Sequence, residues 1–229
     1  MMKRLAAAVA VLGILALTGC REDPRVTSIQ ERNLKKLSLT ASELPDGTLD
    51  IPGEWSSVTV NGVTVSLPSE PGPAESLDGE AYVARCGDTE CKVFFKTDLS
   101  DSNETYEMLM NSKEKALKKA FRRMGLEFDG TQRSLYRAML AVDEGDIAAA
   151  SKKTRSDISP LGGFLWGSNT AYDIEKDGCE LFVFRMEDNY LYDYCTNFFE
   201  DGGAETVIYV DCEDNGIALK VAASAKTEQ

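Results

Sequence analysis

Apolar and polar positions along this chain alternate, then recur at longer intervals, then alternate again. Between residues 58 and 65 the valines Val58, Val60, Val63 and Val65 are interleaved with polar residues and interrupted by Asn61-Gly62. That pair supplies the positive backbone angles of a tight turn, so the segment predicts a β-hairpin. Residues 81–85 and 92–97 flank Cys86-Gly87-Asp88-Thr89-Glu90-Cys91 and predict a second one. Beyond residue 100 the period lengthens. Tyr106, Met110, Leu117, Ala120, Phe121 and Met124 recur at helical spacing, with Asp101 or Ser102 placed to cap and Gly125 placed to end the helix. A shorter helix over 132–142 buries Leu135, Met139 and Val142, and a further helical turn follows around 147–153. From residue 171 short runs return at 181–186, 190–196, 206–212 and 217–222, separated by turns rich in Asp, Asn and Gly. The run 181–186 is apolar on both faces, which places it inside a sheet.

Strands, then helices, then strands predict an α+β fold: an antiparallel meander with two or three helices packed on one face. The polar stretch 20–50, closed by Pro45-Asp46-Gly47, reads as a flexible tether in which 28–36 can form a short capped helix. The domain is then 51–224, and 225–229 is a disordered tail.

The first residues have a character of their own. Lys3-Arg4 precedes an apolar run over 5–17, broken by Gly13, and Leu17-Thr18-Gly19-Cys20 follows. A spanning helix needs roughly 20 apolar residues; this run is shorter and suits the hydrophobic part of a secretory signal. Leu-Thr-Gly-Cys resembles the lipobox of bacterial lipoproteins. The resemblance implies that residues 1–19 are removed, that a diacylglycerol is attached to the Cys20 thiol, and that the new amine is acylated with a fatty acid such as palmitate. Two or three acyl chains hold firmly, because each buried methylene contributes about 0.8 kcal/mol. Lipoproteins of this kind with Asp after the cysteine stay at the inner membrane. Arg21 stands there, which implies the outer membrane and a domain facing the periplasm.

The chain carries a net charge of −13, and loss of Lys3 and Arg4 makes the mature protein more acidic still. That balance disfavours nucleic acid as a partner and repels an anionic bilayer surface, while a basic protein is attracted. Besides Cys20 there are Cys86, Cys91, Cys179, Cys195 and Cys212. An exported chain meets oxidising conditions, so two bridges and one free thiol are expected. Cys86–Cys91 is the first bridge, across the turn of the second hairpin. Cys179–Cys195 is the second, with Cys195–Cys212 as its alternative.

Histidine is absent. Without imidazole there is no Ser-His-Asp or Cys-His catalysis, no histidine metal ligand and no ordinary near-neutral acid–base group. Ser112-Lys113-Glu114-Lys115 contains a Ser-x-x-Lys string on the polar side of a helix, where its lysine stays solvated and charged. Asp101, Asn103 and Thr105 alternate like calcium ligands, but Tyr106 and Ser112 stand where an EF-hand needs Gly and Glu. No metal, cofactor or catalytic residue is expected.

Three features can carry binding. One is the basic run Lys113, Lys115, Lys118, Lys119, Arg122 and Arg123, of which Lys118, Lys119, Arg122 and Arg123 lie toward the helix end. Another is the glycine-rich stretch 160–167 with Phe164 and Trp166. The last is Tyr190, Tyr192 and Tyr194, spaced to share one strand face. The expected function is that of an envelope lipoprotein that binds another envelope or secreted protein without catalysis, as an inhibitor, an immunity protein or an assembly subunit. The alternatives are a carboxylate-dependent enzyme acting on envelope polysaccharide and a carrier of lipid or sugar.

Overall fold

The first hairpin forms where the valines alternate. In the computed structural model, which describes residues 24–75, 79–96, 98–165, 167–188, 190–200 and 205–228, β1 (Ser56–Val60) and β2 (Val63–Leu67) meet at a two-residue turn. Asn61 and Gly62 take φ of 51° and 82°, the left-handed conformation that such a turn requires. β10 (Lys226–Thr227) pairs with the other side of β2, and the Glu228 N–H donates to the Gly62 carbonyl. The expected disordered tail is thus corrected: residues 226–228 are held in a three-stranded sheet.

The larger sheet has seven strands. β3 (Gly72–Ala74), β4 (Gly79–Cys86) and β5 (Thr89–Lys96) form one antiparallel meander. β6 (Ser168–Lys176), β7 (Cys179–Met186), β8 (Tyr194–Phe199) and β9 (Glu205–Cys212) form a second. They run in opposite lateral directions and join through β5 and β9, giving the order β3-β4-β5-β9-β8-β7-β6. β7 is buried on both faces and sits one strand in from the edge, in line with its apolar run Leu181–Phe184.

Between the meanders the chain makes α2 (Ser100–Arg123), α3 (Gln132–Leu140), α4 (Glu144–Ala149), α5 (Lys152–Ile158) and a 3₁₀ turn over Ser159–Gly163. Asp98, rather than Asp101 or Ser102, accepts from the Ser100 N–H at the start of α2, and Thr131 caps α3. Leu109, Leu117 and Phe121 of α2, Leu135 and Met139 of α3, and Ile158 of α5 pack with Phe182, Phe184 and Phe199 on one sheet face. This is the α+β architecture. None of the helices among the described residues is long and apolar enough to cross a membrane.

Two segments correct the expected organisation. Residues 24–40 are not a flexible tether but a helix, α1 (Pro24–Thr40), whose Leu34 and Leu37 join that core. Gly162 lies so close to the Asn33 backbone that a Cβ there would collide with the Asn33 carbonyl. Beyond the helix, Ala41 bridges Ala171 on the edge strand β6. The run 217–222 is not a strand but part of α6 (Asn215–Ala223), which lies on the other sheet face among β2, β8 and β9. The Asp214 carboxylate accepts from the Gly216 and Ile217 N–H groups and starts this helix. Ala218, Leu219, Val221, Ala222 and Ala223 are all buried, and the single Lys220 among them is too little polar pattern to mark a helical period.

The expected disulfide pairs are corrected as well: none joins the described cysteines in this structure, and the strand register separates both pairs. Cys86 is exposed and opposite Thr89, whereas Cys91 is buried and opposite Ala84. Cys195 is opposite Phe184 and Tyr209 and faces the helical layer, whereas Cys179 and Cys212 face the other core. Strand alternation therefore keeps Cys195 apart from both.

Candidate functional site

Burial across the helix-bearing face of the large sheet is uneven. Glu180, Phe182 and Phe184 of β7 and Asn197 and Phe199 of β8 are buried. On the same face of β4, β5 and β9, the side chains of Ala81, Val83, Phe94, Lys96 and Tyr209 are only half-buried, and Lys92 is exposed. The hydrophobic cluster under the helices takes no residue from β4, β5 or β9. Among the described residues the helical layer covers one half of the face, and beyond Val207 of β9, which is buried, it leaves the other half open.

Phe94, Tyr192 and Tyr209 form the centre of the open half. The Tyr192 ring stacks on Tyr209 at 4.8 Å and on Phe94 at 6.2 Å, and Phe94 and Tyr209 lie 6.0 Å apart. Charge surrounds them. Glu90 pairs with Arg85 and Lys92, each at 2.9 Å, and Lys92 stands opposite Asp211. Tyr192 reaches the sheet from the loop between β7 and β8, whose Tyr190 and Leu191 are 49% and 69% exposed. The same loop is pinned to Gly167: the Glu187 N–H donates to the Gly167 carbonyl, and the Tyr190 ring packs over the Gly167 backbone.

Tyr190, Tyr192 and Tyr194 do not share a strand face, because β8 begins only at Tyr194, which turns into the opposite core. Phe164 is 42% exposed, a few residues before Gly167, and Trp166 lies outside the described residues, as does Cys20. In the basic run, Lys118 pairs with Glu114 at 2.7 Å, and Lys119, Arg122 and Arg123 are exposed. Arg123 lines an open cleft of about 550 Å³ with Met124, Asp146, Ser151 and Lys153, apart from Phe164 and from the aromatic stack.

The residues alone did not single out two buried acid clusters. Glu180, 1% exposed, is held by Arg133 at 2.5 Å and by two hydrogen bonds from Arg137 at 2.7 Å. Partial desolvation and the neighbouring Glu180 raise the Asp173 carboxyl to about 6. Both carboxyl groups stand on the same sheet face, Asp173 on β6 opposite Phe182 and Glu180 on β7 opposite Glu175. Glu180 is further sealed under two guanidinium groups, so the arrangement is one of structural charge pairing. Its sequence signal was there to read, as Arg133 and Arg137 are four apart on one helix and Glu180 interrupts an apolar strand.

Glu205 accepts from Gln132 at 2.8 Å through one oxygen; the other is buried without a hydrogen-bond partner among the described residues. Desolvation raises this carboxyl to about 7 and pushes the nearby Cys195 thiol up to about 12. Such a thiol stays protonated and is a poor nucleophile. Among the described residues no three Cys, Asp or Glu side chains are grouped to hold a metal ion. Compared with known proteins, the chain matches no protein-family model and no curated protein.

Proposed function

We propose that this protein is an envelope lipoprotein, anchored through acylated Cys20, whose domain binds another protein through the open half of its large sheet. The observation that carries the reading is the Phe94–Tyr192–Tyr209 stack, half-exposed and ringed by Arg85, Glu90, Lys92, Lys96 and Asp211. An aromatic centre within a charged rim is the anatomy of a protein interface, where tyrosine is a frequent energetic centre. Small ligands, by contrast, favour enclosed concave sites. The exposed Leu191 at the edge of the stack adds an apolar contact that a partner can cover. The net charge of −13 favours encounter with a basic protein. Held by lipid on its membrane, the domain would act where such a partner arrives, as an inhibitor, an immunity protein or an assembly subunit does.

Two measurements test this. Metabolic labelling with palmitate should mark the wild-type protein and not the Cys20→Ser variant; equal labelling would remove the anchor from the reading. The tagged full-length protein should also be crosslinked in its own envelope and the captured proteins quantified by mass spectrometry. One protein in near-equal amount, reduced at least tenfold by Leu191→Asp and by Tyr192→Ala, is the expected result. Capture of no protein, or of one that both variants retain, would overturn this surface as the interface.

A further inference from the structure

Cys91 on β5 and Cys212 on β9 stand directly opposite each other in the ladder that joins the two meanders. The Cys212 N–H points away from β5 and donates to Asp193 Oδ2 at 2.7 Å, and the Val210 carbonyl, two residues earlier, accepts from the Asp193 N–H on that same side. Backbone polar groups alternate in direction along a strand, so Cys91 and Cys212 are a non-hydrogen-bonded pair. In such pairs the Cα atoms approach to about 4.5 Å and the side chains are closest, within the roughly 4.4–6.8 Å that a disulfide spans. Both side chains enter the same core, with Cys91 0% and Cys212 3% exposed. The other cysteines lack this arrangement: Cys86 is exposed at the hairpin end, Cys195 lies on the opposite face, and Cys179 sits at the far end of the sheet beside Thr227.

We infer that Cys91 and Cys212 are oxidised to a cross-strand disulfide that staples the first meander of the large sheet to the second. The chemistry is thiol–disulfide exchange with a disulfide oxidant such as oxidised glutathione or the disulfide of an oxidoreductase. The Cys212 thiolate attacks one oxidant sulfur, and the other leaves as a thiolate that takes up a proton. Cys91, deprotonated in turn, attacks Cys212 Sγ of the mixed disulfide and expels the second oxidant thiol. Two protein thiols lose two protons and two electrons, and the oxidant gains both as two thiols. Both thiols are accessible to the oxidant while the strands are still assembling. The bridge closes a loop that contains all the helices between the meanders, and a crosslink across so long a loop is strongly stabilising. This inference is independent of the partner-binding reading.

The test uses the full chain, unfolded in reductant, refolded in a buffer of oxidised and reduced glutathione, and blocked with an alkylating agent. A glutamate-specific protease separates Cys91 from Cys86 by cutting after Glu90, and Cys212 from Cys195 by cutting after Glu200 and Glu205. Mass spectrometry without reduction should find residues 91–104 joined to residues 206–213. Recovery of both peptides alkylated and separate, or joined to other cysteine peptides, would overturn the assignment. Adding reductant to the refolded wild type should lower its unfolding midpoint by on the order of 10 °C. The Cys91→Ala/Cys212→Ala double variant should show no such response. A wild-type midpoint indifferent to reductant would also overturn the bridge.

Discussion

Arg137 grips Glu180 with two prongs, Nε 2.7 Å from one carboxylate oxygen and a terminal nitrogen 2.7 Å from the other, at a point where the glutamate is 1% exposed. The pair holds α3 onto β7, and each partner's loss has a different cost. Arg137→Ala leaves a buried carboxylate with Arg133 alone and should lower stability by about 3 kcal/mol. Glu180→Leu leaves two arginines that can turn to solvent, so it should cost less. The double variant Glu180→Leu/Arg137→Ala should be more stable than Arg137→Ala. Urea unfolding of the set decides the matter. A double variant weaker than Arg137→Ala would show that Arg133 alone suffices to hold the Glu180 carboxylate.

Glu205 gives a pH dependence of definite sign. Burial raises its folded pKa to about 7, above its ordinary value of 4.5, so the folded state binds the extra proton between those limits. Stability from this group is therefore full below about pH 4.5 and is lost as pH rises through 7. Glu205→Gln keeps an uncharged side chain at all pH values and should be more stable than wild type at pH 8, by about 1–2 kcal/mol once screening at its exposed side is allowed for. At pH 4.5 the two should converge. Thermal unfolding at both pH values measures the difference, and a constant offset between them would refute the assignment.

Gly162 fixes how α1 docks. Adding a methyl group there sets it against the Asn33 carbonyl, in the middle of the helix–turn contact. Gly162→Ala should loosen α1 with little change to the sheet. Hydrogen exchange should then speed at least tenfold over 24–40 while β7 and β8 keep their protection. Unchanged exchange over α1 would mean that the turn yields instead.

What could be read from the sequence follows the range of the forces involved. Asn61-Gly62 and the spacing of Leu117, Ala120 and Phe121 are local signals, and the hairpin and α2 follow from them. Over 217–223 the residues of α6 are apolar except for Lys220, and such a run carries no period that separates a helix from a strand. α1 shows the converse: Leu34 and Leu37 are a thin apolar stripe in a polar segment, and their burial depends on a turn far along the chain. The aromatic stack draws Phe94, Tyr192 and Tyr209 from three separate segments, so no spacing announces it. Cys91 and Cys212 escaped a pairing based on nearness in sequence for the same reason: their partnership is set by strand order.

That strand order also governs timing. The strands within each meander are joined by connections short enough to pair early. The seam between β5 and β9 must bring together residues more than a hundred positions apart, Lys96 with Val207 and Cys91 with Cys212. Closing so distant a contact is slow on the timescale of hairpins. In the interval β9 is an unpaired edge with Ile208 and Val210 unshielded, and such an edge recruits strands from other chains. The newly made protein is therefore most vulnerable to aggregation before its first meander arrives.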